Sequence, residues 1–563
     1  MGPLSSLLCL LVLAIWVHAA EPEYPPITSR ITSAKGSLFF DELGRSRIFR
    51  GTNVVYKAFP YVPQTSQDSD PLYSFNQKDI SLLASNGVTA VRLGVLWAGV
   101  EPTKGNYNQT YLTELTKIVQ MCSDVGIYVL LDFHQDIMSE RFCGQGVPSY
   151  IVDTNPSANS GWTGFPVPLR FLAYKTGNGG IPSAGDCQSK TWTFYQTADS
   201  VVFLYQQLYE NKDGVRDAFI SFWTMVAKTF LPFKNILGYD LINEPFMGNI
   251  YTNPLLLDPL YANRVNLQPF YDVVSTAIRT VDPNAIIHFE PATLIQKSAG
   301  FTNTPGGKDF SNKSVFNFHY YADAQRENGL NDTLGYRIDS AISLNCGAFL
   351  GEFEMGYNSG KNLDSIRQTF QAADLHLTSA TGWEYKEYIP KGVMVMTGTN
   401  NGLVDSTGSV REDFAKVFSR PYAHAIAGIP TGMAFDDGSK IFTLNFTFNG
   451  QVGVSGTTEI RGNFGLFHKP YGSEVKVVST SGVFSMLPGN GVSGSSVFVA
   501  PDSANLAKVG ANVTITVLAR TSPPPAPAVT TTVTASAIAV ATKSGIIPLK
   551  PLLFVIISFF FFL

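Results

Sequence analysis

Eight short apolar runs recur along the first three quarters of the chain, and helical stretches separate them. They are RIFRGTNVV (47–55), VTAVRLGV (88–95), GIYVLLDF (126–133), ILGYDLI (236–242), AIIHFE (285–290), SVFNFH (314–319), AFLGE (348–352) and TSATGWEYK (378–386). Apolar residues on consecutive rather than alternate positions suit strands buried on both faces, which implies a parallel sheet covered by helices. Between them, NQKDISLLASNG (76–87) and YLTELTKIVQMCSDVG (111–126) carry helical periodicity, with a glycine at each point where the helix would stop. Eight such units predict an α/β architecture, a (β/α)8 TIM barrel over residues 30–425, with a Gly/Pro-rich insertion at 143–190. A doubly wound open sheet is the competing layout, but no G-x-G-x-x-G turn supports it.

After residue 430 the pattern changes. KIFTLNFTF, TTEIRGNF, SEVKVVST, SSVFVA and NVTITVLAR alternate apolar with polar residues, with Gly, Asn and Pro between them. That alternation predicts a C-terminal antiparallel β-sandwich over 430–520, packed on the barrel. Residues 1–20 read as a signal peptide: an apolar stretch at 4–17 leads to His18-Ala19-Ala20, although no basic residue precedes it. Residues 521–563 read as a Pro/Thr-rich stalk and a hydrophobic tail. The tail is interrupted by Pro548, Lys550 and Pro551, with small residues Ala535 to Ala537 as candidates for lipid attachment. A tail-end membrane helix is the alternative. Either way the expectation is a secreted protein, held at the cell surface.

Charged residues make up 15% of the sequence and the net charge is −4, with no clustered cations, so nucleic-acid binding is disfavoured. Secretion agrees with glycosylation sequons at Asn108, Asn312, Asn331, Asn445 and Asn512. Beyond the leader stand Cys122, Cys143, Cys187 and Cys346, which allow three pairings; a Cys143–Cys187 bridge across the irregular loop is the expected one. No cysteine–histidine spacing suggests a metal site.

In a barrel of this kind the chemistry gathers at the carboxyl ends of the strands. Arg92 lies on the second strand, Asp132-Phe133-His134-Gln135-Asp136 ends the third, and Asn243-Glu244 the fourth. His319-Tyr320-Tyr321 ends the sixth, Glu352 the seventh, and Trp383 and Lys386 follow on the eighth. Two carboxylates, Glu244 and Glu352, can cleave an acetal without metal or cofactor: one delivers a proton to the departing oxygen and the other stabilises or attacks the anomeric carbon. Asn243 adds an amide suited to a sugar 2-hydroxyl. Each acid alone is as readily an ordinary strand-end ion-pair partner; both together with Asn243, Arg92 and His319 on one rim are not.

These residues resemble the retaining glycoside hydrolases of family 5, whose acid/base Glu stands in an Asn-Glu-Pro motif after strand four and whose nucleophile follows strand seven. The resemblance implies Glu244 as acid/base, Glu352 as nucleophile and Arg92 as the group steadying the nucleophile. It implies His134 and Asn243 as sugar contacts, His319 and Tyr321 as the family's His-x-Tyr pair, and Trp383 as its aromatic platform. The Asn53, Lys57, Pro60, Tyr61 pattern, the HQD at 134–136 and the GWEYK at 382–386, with the appended sandwich, are similar to endoglycoceramidases. That likeness implies a glycosphingolipid substrate at a membrane surface, a monomer, and Lys57, Asp136 and Glu384 as polar contacts to the glycan. An endo-β-glucanase, or a β-glucosidase acting on steroid or lipid glucosides, is the rival reading. Glu354 departs from the pattern, since many relatives have Gly there, and it is expected to face away from the site.

Overall fold

A computed structural model describes residues 26–153, 181–190, 192–293, 299–321, 329–355, 361–388, 402–405, 407–470, 472–487 and 495–522. The expected leader, stalk and tail therefore lie outside the described residues, as does most of the 143–190 insertion. Among the described residues no helix is long and apolar enough to cross a membrane.

Eight parallel strands close into a barrel: β1 (Arg50–Val54), β2 (Ala90–Gly94), β3 (Tyr128–Asp132), β4 (Ile236–Asp240), β5 (Ile287–Phe289), β6 (Ser314–Tyr320), β7 (Gly347–Phe353) and β8 (Ser379–Gly382). Each falls within, or overlaps all but the ends of, an apolar run singled out in the sequence. The helix Gln77–Ser85 opens on a capping box, in which Asn76 and Asp79 satisfy each other's backbone N–H groups. The helix Gln109–Asp124 opens on Asn108, whose side chain accepts from the Tyr111 N–H. Gly87 and Gly126, both at φ +79°, turn the chain out of these helices into β2 and β3.

The barrel interior is layered. At its floor Phe39, Phe49, Tyr128, Leu130, Leu237, Ile286, Val315 and Phe349 form one apolar cluster. Above it the inward-facing residues are polar: Asn53, Arg92, Asp132, Asp240, Asn317 and Glu352 are all buried. Gly351 is required between the layers, because a Cβ there would stand 2.3 Å from Asn317 Oδ1. In the β6–β7 ladder the register shifts between Leu350 and Glu352, so that Glu352 stands opposite His319.

The C-terminal region builds two antiparallel sheets. One has four strands, Gly428–Phe435, Phe442–Phe448, Asn512–Ala519 and Ser473–Ser479, with buried residues alternating along them. The other has seven strands and is not C-terminal alone. Its order runs from the hairpin Ile31–Lys35 and Leu38–Asp41 through Ser46–Arg47 to Tyr422–Ile426, Thr458–Arg461, Ser496–Pro501 and Phe484–Met486. The N-terminal hairpin also supplies Ile31, Ala34 and Phe39 to the floor cluster, plugging the barrel from below. Cys143 and Cys187 form a disulfide, while Cys122 and Cys346 are buried thiols. Of the sequon asparagines, Asn312, Asn331, Asn445 and Asn512 are exposed.

Candidate active site

Arg92 is the centre of the rim. Completely buried, it reaches five partners through hydrogen bonds: Nε donates to Asp240 at 2.8 Å, Nη1 to Glu352 at 2.7 Å and Asn53 at 3.1 Å, and Nη2 to Asn243 at 2.9 Å and Glu290 at 3.1 Å. Asp132 completes an ion pair at 2.9 Å. Only a planar guanidinium can serve so many acceptors at once. Burial opposes its charge, but Asp132, Asp240, Glu352 and Glu290 outweigh that and raise its pKa.

Glu352 has both oxygens engaged: Oε1 accepts from Arg92 and Oε2 from the Tyr321 hydroxyl at 2.7 Å. Burial raises its pKa, against the pull of His319 and Arg92. Facing it, Glu244 stands just beyond β4, part exposed, in the left-handed region at φ +39°. A carboxylate oxygen of Glu244 and one of Glu352 lie within 4.8 Å of each other and of a His319 ring nitrogen. His319 Nδ1 is 2.8 Å from Glu244 Oε1 and 3.5 Å from Glu352 Oε2, and its Nε2 is 3.2 Å from Glu290 Oε1. Three atoms so close could together hold a cation, but here His319, Arg92 and Tyr321 supply the positive and donor groups. Burial would lower the His319 pKa, yet Glu290 and Glu352, with hydrogen bonds to Glu244 and Glu290, raise it well above its ordinary value.

The strand ends on the β1, β3 and β8 side form a second polar group. His134 Nδ1 meets Asp132 at 2.8 Å and its ring stacks on Trp383, with centroids 5.1 Å apart. Lys57 Nζ donates to Asp136 at 2.6 Å and sits 4.4 Å from the centre of the Trp383 ring. Gln145 also donates to Asp136. Burial would raise the Asp136 pKa, but Lys57 and His134 hold it well below the usual carboxylate range. Glu384 is buried beside this pair; burial, the largest influence, pushes its pKa well up despite Lys57.

Of the residues singled out on the rim, Glu244, Glu352, Arg92, Asn243, His319 and Tyr321 form one group and Lys57, His134, Asp136 and Trp383 another, and Asp132, which meets both Arg92 and His134, joins the two. Asn243 turns its carbonyl oxygen to Arg92 and donates its amide to the Gln135 carbonyl, 3.1 Å away. Glu354 is exposed, just past the end of β7. Lys386 is directed elsewhere, donating to Asp79 and to the carbonyls of Pro71 and Ser74. Sequence reasoning passed over Asp240 and Glu290, which close the ring of acids around Arg92. Their only signal was weak: each is one more acid at the end of a buried strand, outside any motif.

Residues 61–388 match the family model for cellulase (glycosyl hydrolase family 5), and residues 420–517 match that for the glycoside hydrolase family 5 C-terminal domain. An endoglycoceramidase of Cyanea nozakii is 37% identical over 408 residues, covering 72% of this chain and 79% of that protein. One of Hydra vulgaris is 36% identical over 442 residues, covering 78% and 82%. Endo-glycoceramidase II from Rhodococcus sp., solved as a ganglioside GM3 complex, shares the fold with a TM-score of 0.59 at 21% identity, over 85% of this chain and 99% of that one. A closed eight-stranded barrel with paired carboxylates at its mouth, an attached antiparallel domain, and matches across both regions give one conclusion: the chain belongs to glycoside hydrolase family 5.

Proposed function

We propose that the protein is an endoglycoceramidase, a retaining endo-glycosidase that hydrolyses the β-glycosidic bond between oligosaccharide and ceramide in glycosphingolipids. The observation that carries the mechanism is the approach of the Glu244 and Glu352 oxygens to within 4.8 Å. Retaining enzymes hold their carboxyl groups about 5–5.5 Å apart, whereas inverting enzymes leave about 6.5–9.5 Å for a water. Glu352, with Arg92 and Tyr321 fixing its oxygens, attacks the anomeric carbon. Glu244 gives its proton to the departing ceramide oxygen and then, as base, activates the water that hydrolyses the glycosyl-enzyme.

The remaining residues bind the sugar. Asn243 faces the 2-hydroxyl, Trp383 underlies the reactive ring, and Lys57, His134 and Asp136 contact the glycan. The name shared by the Cyanea and Hydra relatives supports the substrate class. Residues 30–425 contain the catalytic barrel, and 430–520 the greater part of the antiparallel region, which also takes in strands from the N-terminal hairpin. Secretion through residues 1–20 and retention at the membrane surface through 521–563 fit a lipid substrate.

The rival reading, an endo-β-glucanase or a β-glucosidase on steroid or lipid glucosides, is favoured by the cellulase description of the matched family model. Incubation with a ganglioside, a cello-oligosaccharide and glucosylceramide separates the two. Intact oligosaccharide plus ceramide, released first as the β-anomer, is the expected result. Shortening of the cello-oligosaccharide alone, or glucose from glucosylceramide alone, overturns it.

A further inference from the structure

Glu290, just beyond the end of β5, is an acid for which the two-carboxylate reaction has no use. It is buried, yet both of its oxygens are committed. Oε1 lies 3.1 Å from Arg92 Nη2 and 3.2 Å from His319 Nε2, and Oε2 accepts the backbone N–H of Glu244 at 3.0 Å. On its other side the Glu244 peptide is held through its carbonyl, which accepts from Thr293 Oγ1 at 3.0 Å and Gln135 Nε2 at 3.4 Å. These bonds restrain a non-glycine residue in the left-handed region, where a side chain is strained unless its surroundings fix it.

His319 is held by a hydrogen bond on one side and an ionic contact on the other. Its Nδ1 faces the oxygens of Glu244, beyond β4, and Glu352, on β7, and its Nε2 faces Glu290, beyond β5. A ring nitrogen presenting a lone pair to a carboxylate at such distances would be repelled, so both nitrogens carry protons. Were Nε2 not opposite an anion, the ring could serve Glu244 as a neutral imidazole in its Nδ1–H tautomer.

Taking Glu244 as the acid/base, as proposed above, we infer that Glu290 is a positioning residue for the proton-transfer step: one oxygen fixes the Glu244 peptide, and the other, as counter-ion to Nε2, keeps His319 doubly protonated with its Nδ1–H against the Glu244 carboxyl. Glu352 keeps its own donors, Arg92 Nη1 and Tyr321, because Asp132 and Asp240 still hold Arg92 when Glu290 is removed. Loss of Glu290 therefore weakens the delivery of the proton more than the attack.

The test is Glu290→Gln, assayed on lactosylceramide, whose leaving alkoxide needs the proton, and on dinitrophenyl β-lactoside, whose leaving group departs without it. The expected result is a fall in kcat of about 100-fold on the lipid, the scale of general acid catalysis, and of less than about 10-fold on the aryl glycoside. Equal losses on both substrates, or none on either, overturn the inference. A second measurement needs no variant: nitrogen NMR of ring-labelled histidine at about pH 8, well above the ordinary histidine value. Two protonated nitrogens on His319 are expected, and a neutral tautomer overturns the inference even where the variant does not fold. Wild-type protein that turns over neither lactoside counts against the proposed function, while the NMR result still decides the role of Glu290.

Discussion

Arg92 on β2 and Glu352 on β7 meet at 2.7 Å, and Tyr321 closes on the other Glu352 oxygen at the same distance. One carboxylate is thereby held in a single orientation, one oxygen to a cation and one to a hydroxyl, at the place where β6 and β7 shift register. Orientation of this kind is what an attacking group needs before substrate arrives.

Glu352→Gln keeps the shape of the site and removes the attacking oxygen. Turnover of lactosylceramide is expected to fall by on the order of 10⁴-fold or more, the scale seen when a covalent nucleophile is lost, with substrate still bound. Single-turnover kinetics and equilibrium binding of the lipid check both parts; retained turnover would remove Glu352 from the role.

Arg92→Met leaves Asp132, Asp240, Glu290 and Glu352 gathered without their cation. Removing one partner from a buried ionic group costs about 3–5 kcal/mol. A fall of that size in denaturant unfolding, together with loss of activity, is expected; unchanged stability would mean that the acids are neutralised another way.

Asp136 gives a pH-dependent contribution. Burial works against its charge, but Lys57 and His134 win and hold its folded pKa well below its ordinary 3.8. A depressed folded pKa stabilises the protein above the unfolded value, and that stabilisation is lost as pH falls through the folded one. Asp136→Asn should therefore cost most above pH 3.8, and the gap from wild type should close as acid is added. Thermal unfolding across acid to neutral pH measures this, and a gap that widens in acid contradicts it.

The Cys143–Cys187 bridge closes a sequence separation of 44 residues, and it leaves the loop that carries Gln145 toward Asp136. Chain-entropy arguments give such a loop about 4 kcal/mol. Cys143→Ser is expected to lower the unfolding temperature and to raise KM on a ganglioside more than it lowers kcat. Equal effects on the two constants would show that the loop serves catalysis rather than sugar binding.

The strands were legible because burial on both faces leaves an unbroken apolar run, a pattern that local sequence carries by itself. Glu244 and Glu352 were legible through their neighbours, Asn243 before one and the strand-end position of the other. Glu290 was not, since AIIHFE reads as one more buried strand and its final acid belongs to no motif. Asp240 was hidden for a similar reason, inside YDLI, where the strand was expected to run on to Ile242 but ends at Asp240. The pairing of Ser46–Arg47 with Tyr422–Ile426 was out of reach altogether, because two edges almost four hundred residues apart share no local signal.

That pairing has a bearing on biosynthesis. The strip entering the first barrel strand has Leu38–Asp41 on one side and Tyr422–Ile426 on the other, so half of its neighbourhood is still untranslated when the last barrel strand leaves the ribosome. The seam beneath the cylinder is completed only once residues 422–426 have been made, after all eight barrel strands. A fragment cut before residue 422 would keep both acids and the arginine between them but lack one wall of the seam beneath the barrel, so the strands that follow the last barrel strand are not a detachable appendage.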